Sequence, residues 1–319
     1  MRLAVSLLAA AAALLPASAS AQKPSVRNAA LVIDGAPSPA PPAVVARDAA
    51  GRATVRAILL TEPITLDGRL SERIYHDTEP IAGFIQQEPR EGEPATERTE
   101  VWVAYDRQAL YVGARLSESD PSKRVTSDMQ RDSNNLYNND HFAVVIDTFY
   151  DRRNGYYFVA NSQGGFQDSQ ITNENPENNW NAIWEVKAAN FAGGWTIEFR
   201  IPFRSVRFKA GGGLWGINFR RMARAKNEVS HLTPIPASYG RRGMTRVASA
   251  GTLAGIGTPG KRIDLDIKPY ALGSTLTNRA ATPAISNDGN GEFGVDGKWG
   301  LTQSLVADFT YNTDFAQVE

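Results

Sequence analysis

Gly194-Trp195-Thr196-Ile197-Glu198-Phe199-Arg200-Ile201-Pro202-Phe203 decides the fold class. Its large apolar residues, Trp195, Ile197, Phe199 and Ile201, take every second position, with Thr196, Glu198 and Arg200 between them. A strand turns successive side chains to opposite faces, so this spacing predicts a β-strand buried on one side. Working outward, the same period recurs. Trp215, Ile217 and Phe219 share a face, with Asn218 and Arg220 opposite. Tyr156, Phe158 and Ala160 alternate after the turn Asp151-Arg152-Arg153-Asn154-Gly155, and Phe142, Val144 and Ile146 alternate before it. Val101, Val103 and Tyr105, then Leu110, Val112, Ala114 and Leu116, flank the turn Asp106-Arg107-Gln108-Ala109 and read as a hairpin. Only Ser71 to Asp77 reads as a short helix. Many short strands joined by turns predict an all-β fold, a β-sandwich of jelly-roll or immunoglobulin-like type.

The flanks differ from this body. Arg2, an apolar run from Leu3 to Leu15, the breaker Pro16 and the small-x-small pattern Ala19-Ser20-Ala21 form a secretory signal over residues 1–21. The run is short for a transmembrane helix, which needs ~20 apolar residues. The expected location is therefore the periplasm or outer membrane of a Gram-negative bacterium. Residues 22–56, with Pro37, Pro39, Pro41 and Pro42 among many Ala, read as an extended linker. There is no Cys, so a disulfide framework is excluded and the core must hold the domain together. Lys+Arg and Asp+Glu both number 34, a balance that gives no electrostatic case for nucleic acid.

Residues 258–319 change character again. Ile263, Leu265 and Ile267 alternate with Asp264, Asp266 and Lys268, and the alternation returns from Phe293 to Trp299 and from Leu305 to Tyr311. Long alternating strands with aromatics near their ends resemble transmembrane β-strands of ~10 residues each. The expectation is the first strands of an outer-membrane β-barrel belonging to a longer protein. The alternative is an edge hairpin that completes the sandwich.

Several motifs in order resemble the family 9 carbohydrate-binding modules. Ile64-Thr65-Leu66-Asp67-Gly68-Arg69-Leu70-Ser71-Glu72 resembles their opening, and Thr96 through Arg115 resembles their next hairpin. Asn139-Asp140-His141-Phe142, with Val144, Ile146 and Asp147, resembles their acidic-ended strand. The Gly194–Phe203 stretch, Trp215-Gly216-Ile217-Asn218-Phe219 and Gly251-Thr252-Leu253 complete the set, which covers residues 57–257. The tail from Thr310 to Glu319 resembles the start of an uncharacterised bacterial barrel domain. The resemblance implies a β-sandwich that binds a polysaccharide or oligosaccharide, xylan- or cellulose-like, in carbohydrate catabolism near xylanase-type hydrolases. It implies two aromatic platforms, Tyr137 ahead of Asp140, where the family has Trp, and Tyr239 before the last strand.

The residues themselves add a second set. Sugar rings offer apolar faces and polar hydroxyls, so a binder needs aromatics beside amides and carboxylates. The stretch from Asn161 to Trp184 supplies Asn161, Gln167, Asp168 and Trp180 among further Asn, and reads as a binding loop or as a solvated surface loop. Trp184 follows the strand period and reads as core. Asp147, Asp151 and Asn154 surround one turn and are the candidate ligands of a structural calcium ion, which the resemblance also implies. No catalytic residue is assigned: Glu174, Glu177, Glu185 and Glu198 lie in no recognisable hydrolase context, and neither a Ser nucleophile elbow nor a zinc motif is present. A hydrolase acting on O-glycosyl bonds, a haem protein using Met129 and His141, and a structural cap or plug of the barrel are the rival readings; nothing positions Met129 and His141 as a pair.

Overall fold

The computed structural model describes residues 32–209, 213–259, 264–280, 282–283, 285–300 and 306–312. The predicted secretory signal, the first part of the predicted linker and the tail motif from Thr313 onward lie outside the described residues. Two sheets form the sandwich. The larger has ten strands. Eight run in the order Val45–Arg47, Ala53–Arg56, Gly251–Ile256, Gly213–Ala223, His141–Asp147, Gly155–Asn161, Phe166–Thr172 and Asn175–Glu177. Glu228–His231 also pairs with Gly213–Ala223 and carries Ile85–Glu88 on its other side. The smaller sheet orders Glu185–Phe191, Gly194–Pro202, Ala109–Ser117, Thr99–Tyr105 and Ile58–Leu59.

The predicted alternation becomes register. Trp195, Ile197, Phe199 and Ile201 stand opposite Leu116, Ala114, Val112 and Leu110. Val101 and Val103 continue the same face. From the other sheet Phe142, Val144, Ile146, Phe158, Ile217 and Phe219 meet them in one apolar core. Each such side chain contributes ~1.5–3 kcal/mol through burial, which makes this interface the main stabilising element. Trp184 joins it, stacked on Phe199 at 5.6 Å between ring centroids.

The outer face of the smaller sheet is closed by the turn and short helix that precede it. The helix is the single turn Arg73–Asp77, shorter than the sequence suggests. Glu198, which points away from the core, is itself buried and accepts hydrogen bonds from the Tyr75 hydroxyl (2.8 Å), the Gly68 N–H (2.7 Å) and the Asp67 N–H (3.1 Å). Burial raises its pKa, while these donors favour the charged form and oppose that rise. Glycine is required at position 113, because a Cβ there would lie 2.5 Å from the Tyr75 ring.

The stretch read as a linker carries two strands of the larger sheet. Ala53–Arg56 pairs in parallel with Gly251–Ile256, and Val45–Arg47 extends the edge. Val44, Ala53 and Val55 enter the main core, so apolar burial holds residues that Pro and Ala content alone marks as extended.

Asp264–Asn278, Ile285–Gly300 and Val306–Tyr311 form a separate antiparallel sheet of three strands. Among the described residues it extends neither sheet of the sandwich, which corrects the edge-hairpin alternative. Among the described residues it does not close into a barrel. Ile267, Pro269, Ala271, Phe293, Val295, Trp299, Phe309 and Tyr311 fall on one face by register. Lys268, Tyr270, Glu292, Asp296, Asp308 and Thr310 fall on the other, mostly polar, face.

Candidate functional site

The strands of the larger sheet that bury Phe142, Phe158 and Phe219 inward present different residues outward. Cross-strand register sets Gln167 beside Val159, Val159 beside Ala143, Ala143 beside Arg220, and Arg220 beside His231. Tyr157 and His141 flank this row on the same face. The face is not open to solvent. Leu136, Ala143, Val145, Tyr157, Val159, Ile235, Met244 and Val247 form a second apolar cluster over it, with Tyr137 packed at its margin. Leu136 and Tyr137 come from the short helical segment Asn134–Asn138, and Met244 from the segment Ala237–Thr245, which Gly240 interrupts at φ 50°.

Polar groups inside this cover are aimed at one another. His141 Nδ1–H donates to the Asn139 carbonyl at 2.8 Å, which leaves Nε2 to accept from Arg220 Nη2 at 2.8 Å. The Arg220 guanidinium carbon lies 5.7 Å from the centroid of the Tyr137 ring. Burial, then the positive charge of Arg220, holds His141 well below the ordinary imidazole range. The same causes press His231 down to about 3. Both imidazoles are therefore neutral. Gln87 is the extra residue of a β-bulge, because Glu88 faces Val229 and Gln86 faces Ser230. The bulge turns its amide inward. It accepts from His231 Nε2 at 3.0 Å and donates to the carbonyls of Pro236 (3.0 Å) and Gly240 (3.1 Å), tying the 237–245 segment to the sheet.

Among the described residues four buried side-chain atoms on this face lack a well-formed hydrogen bond: Arg220 Nε, Gln167 Oε1, His231 Nδ1 and the Tyr157 hydroxyl, which lies close to that of Tyr137. Buried polar atoms are nearly always satisfied, so several unpaired ones on one face set it apart from the rest of the domain.

The residues predicted for binding separate into two groups. Tyr137 and Gln167 lie at the outer face, and Tyr239, 43% exposed, stands on the covering segment with Arg246 over its ring at 5.6 Å. The others are committed to structural partners. Asp140 accepts the N–H groups of Val125 (2.8 Å) and Arg224 (3.2 Å). Asn161 accepts those of Gln163 (3.0 Å) and Gly165 (2.9 Å), closing its own turn. Asp168 is on the inner face, where it binds Trp184 Nε1 (3.0 Å), the Ala182 N–H (2.8 Å) and Arg131 (2.9 Å). Trp180 packs on Tyr156 at 4.9 Å and belongs to the core edge. The predicted binding loop thus contains two strands, Phe166–Thr172 and Asn175–Glu177, joined and followed by turns.

With this geometry in hand, the profile of the family described as Carbohydrate family 9 binding domain-like matches residues 66–233, just over half of the chain. The chain belongs to that family. No curated protein matches the sequence. Two solved structures of a carbohydrate binding module family 9 from Caldicellulosiruptor kristjanssonii are similar. The one in complex with cellotriose has 15% identity and a TM-score of 0.45, covering 65% of this chain and 95% of that one. The one in complex with glucose has 14% identity and a TM-score of 0.47, covering 66% and 97%. A candidate carbohydrate-binding protein from Bacteroides uniformis ATCC 8492 has 11% identity and a TM-score of 0.51, covering 63% and 98%. The likeness to the last is one of fold.

In this family 9 domain the proposed calcium ligands do not fit a metal. Asp147 Oδ1 accepts the N–H groups of Phe149 and Asp151, and its Oδ2 accepts that of Arg152. Asp151 caps Arg153 and Asn154, and Asn154 Oδ1 accepts the Asn173 N–H. Their oxygens are consumed by the turn they stabilise, and among the described residues no three acidic or imidazole side chains converge. The carboxylates are dispersed as well: Glu174 pairs with Arg246 and Glu185 with Arg200. His141 serves Arg220, and Met129 is exposed on a loop. Sequence reasoning passed over Arg220, His231, Gln87 and Tyr157. The available signal was the polar residue between apolar ones, Arg220 after Phe219, but only register brings the four together.

Proposed function

We propose that this family 9 domain binds a carbohydrate at the outer face of its larger sheet. The observation that carries the reading is the unused hydrogen-bonding capacity of Arg220, Gln167 and Tyr157 beneath the aromatic margin of Tyr137. In this reading a sugar ring rests on Tyr137, with Tyr239 at the rim, and its hydroxyls reach the buried amide, phenol and guanidinium. The relatives solved with cellotriose and glucose make cello- and xylo-oligosaccharides the first ligands to try, in keeping with a role in carbohydrate catabolism. Calorimetric titration of the full chain is the test. Binding is expected, and Tyr137→Ala weakens it by ~1–3 kcal/mol, a range borrowed from nucleobases stacked on aromatic side chains. Absence of heat with every oligosaccharide would remove the sugar reading and favour a structural cap.

A second reading concerns location. We infer that the chain is exported and that its three-stranded sheet belongs to an outer-membrane β-barrel. Support comes from the one-sided apolar face, where Ile267, Phe293, Trp299, Phe309 and Tyr311 are all exposed. From Gly291 to Trp299 that face runs for nine residues of one strand, about 26 Å at ~3.3 Å per residue, close to the ~25 Å apolar band of such barrels. Fractionation of cells expressing the native gene tests this. Recovery in the outer membrane is expected; recovery as freely soluble protein would refute it.

A further inference from the structure

Arg220 differs from the other buried arginines of the chain. Arg221, next in sequence and equally buried, donates to the Arg98 and Ser117 carbonyls and feels Glu118, Glu97, Asp140 and Glu228. Arg124 pairs with Glu118. Arg220 is 5% exposed, and no carboxylate lies within ion-pairing distance of it among the described residues. Its partners are the neutral His141, a long contact to the Arg241 carbonyl at 3.5 Å and the face of Tyr137. Its Nε has no partner. The neighbouring charges do not compensate it. Arg220, Arg224 and Arg241 all act on His141, and Arg220 and Arg241 act on Tyr137. A buried charge without a counter-charge is costly to keep, and a guanidinium with a free edge matches a carboxylate in shape and sign.

We propose that the ligand of this site is an anionic sugar, a uronate, whose carboxylate is received by Arg220 while its ring lies against Tyr137. This rests on the carbohydrate reading and narrows it. The carboxylate would supply the acceptors that Arg220 lacks, and Arg241, exposed at the rim and bonded to Asn138, would add long-range attraction. The neutral imidazoles fit the same ligand, because a protonated His141 could no longer accept from Arg220 and would turn the guanidinium away.

The experiment is a calorimetric comparison of glucuronate, glucose and acetate on the full chain at low and high salt. Glucuronate is expected to bind at least about tenfold more tightly than glucose, with the preference shrinking as salt screens the rim charge. Arg241→Gln, at the surface, should lower the preference by about twofold to threefold without disturbing the fold. Arg220→Gln should abolish the preference and leave residual binding of glucose. If that variant does not fold, the wild-type preference and the Arg241→Gln effect decide the matter. Glucose binding as well as or better than glucuronate would overturn the anionic inference and leave the sugar reading standing. Acetate competing as strongly as glucuronate would overturn the sugar ring's part in it. Binding of none of the three would overturn the anionic inference, while the carbohydrate reading on which it rests is decided by the oligosaccharide titration.

Discussion

The two faces of the ten-stranded sheet are built from the same strands, one residue out of step. On the inner face Phe142 stacks on Phe219 at 5.8 Å within a continuous apolar core. On the outer face the next residues along, His141 and Arg220, meet through a hydrogen bond beneath two short helical segments. Both faces are buried, so burial alone does not separate them. Among the described residues the inner face has no polar group in search of a partner, and the outer face keeps four. That difference is what the proposed carbohydrate site rests on.

The comparison can be broken most forcefully from the inside. Phe219→Ala is expected to cost ~3–5 kcal/mol in denaturant unfolding, the usual price of deleting a core aromatic. A loss no larger than that of an outer-face substitution would mean that the core does not lie between the sheets. Asp168→Ala should cost about 2–3 kcal/mol, because Trp184 Nε1, the Ala182 N–H and Arg131 lose their acceptor together. If instead it altered ligand affinity with stability intact, the inner-face assignment would fall.

Acid should act on the outer face. His141 and His231 have folded pKa values below the unfolded imidazole value of ~6.5, with His231 at about 3. As pH falls below 6.5 the unfolded chain takes up protons that the folded chain refuses. Stability therefore declines toward the folded pKa, by up to ~1.4 kcal/mol per pH unit for each imidazole. The buried Asp140, Asp147 and Glu198 have raised pKa values and oppose this at lower pH. His231→Gln should flatten the pH dependence of the unfolding midpoint between about pH 6 and 4. An unchanged slope would show that His231 is not held neutral. The smallest effect belongs to Tyr239→Ala, ~0.5 kcal/mol or less in stability because the ring is largely outside the core, with a modest loss of ligand affinity.

Much of the sandwich was readable in advance. The period of two placed Trp195, Ile197, Phe199, Ile201, Phe142, Phe158 and Phe219 on the buried side, and all of them are there. The N-terminal strands were not readable. Val45–Arg47 and Ala53–Arg56 are too short to show a period and sit among Pro and Ala, and their pairing is with residues far along the chain. The candidate site was half legible. Tyr137 was marked by the family resemblance alone, and Gln167 by its place in an amide-rich stretch. The amide-rich stretch misled because Asn161 and Asp168 use their oxygens on local N–H groups or on Trp184, a use that composition does not distinguish from ligand binding. His141, Arg220, His231 and Gln87 come from separate strands, and one of them from a bulge, so nothing short of the strand register assembles them.

The parallel ladder that sets Thr54 against Thr252 and Val55 against Leu253 has a kinetic meaning. Ala53–Arg56 emerges from the ribosome early, yet its partner follows almost two hundred residues later in the sequence. Closing so long a loop is slow, so the ladder between these two strands trails the local pairing of each with its own neighbour. Until that ladder closes, Val44, Ala53 and Val55 lack part of the core that covers them in the folded domain.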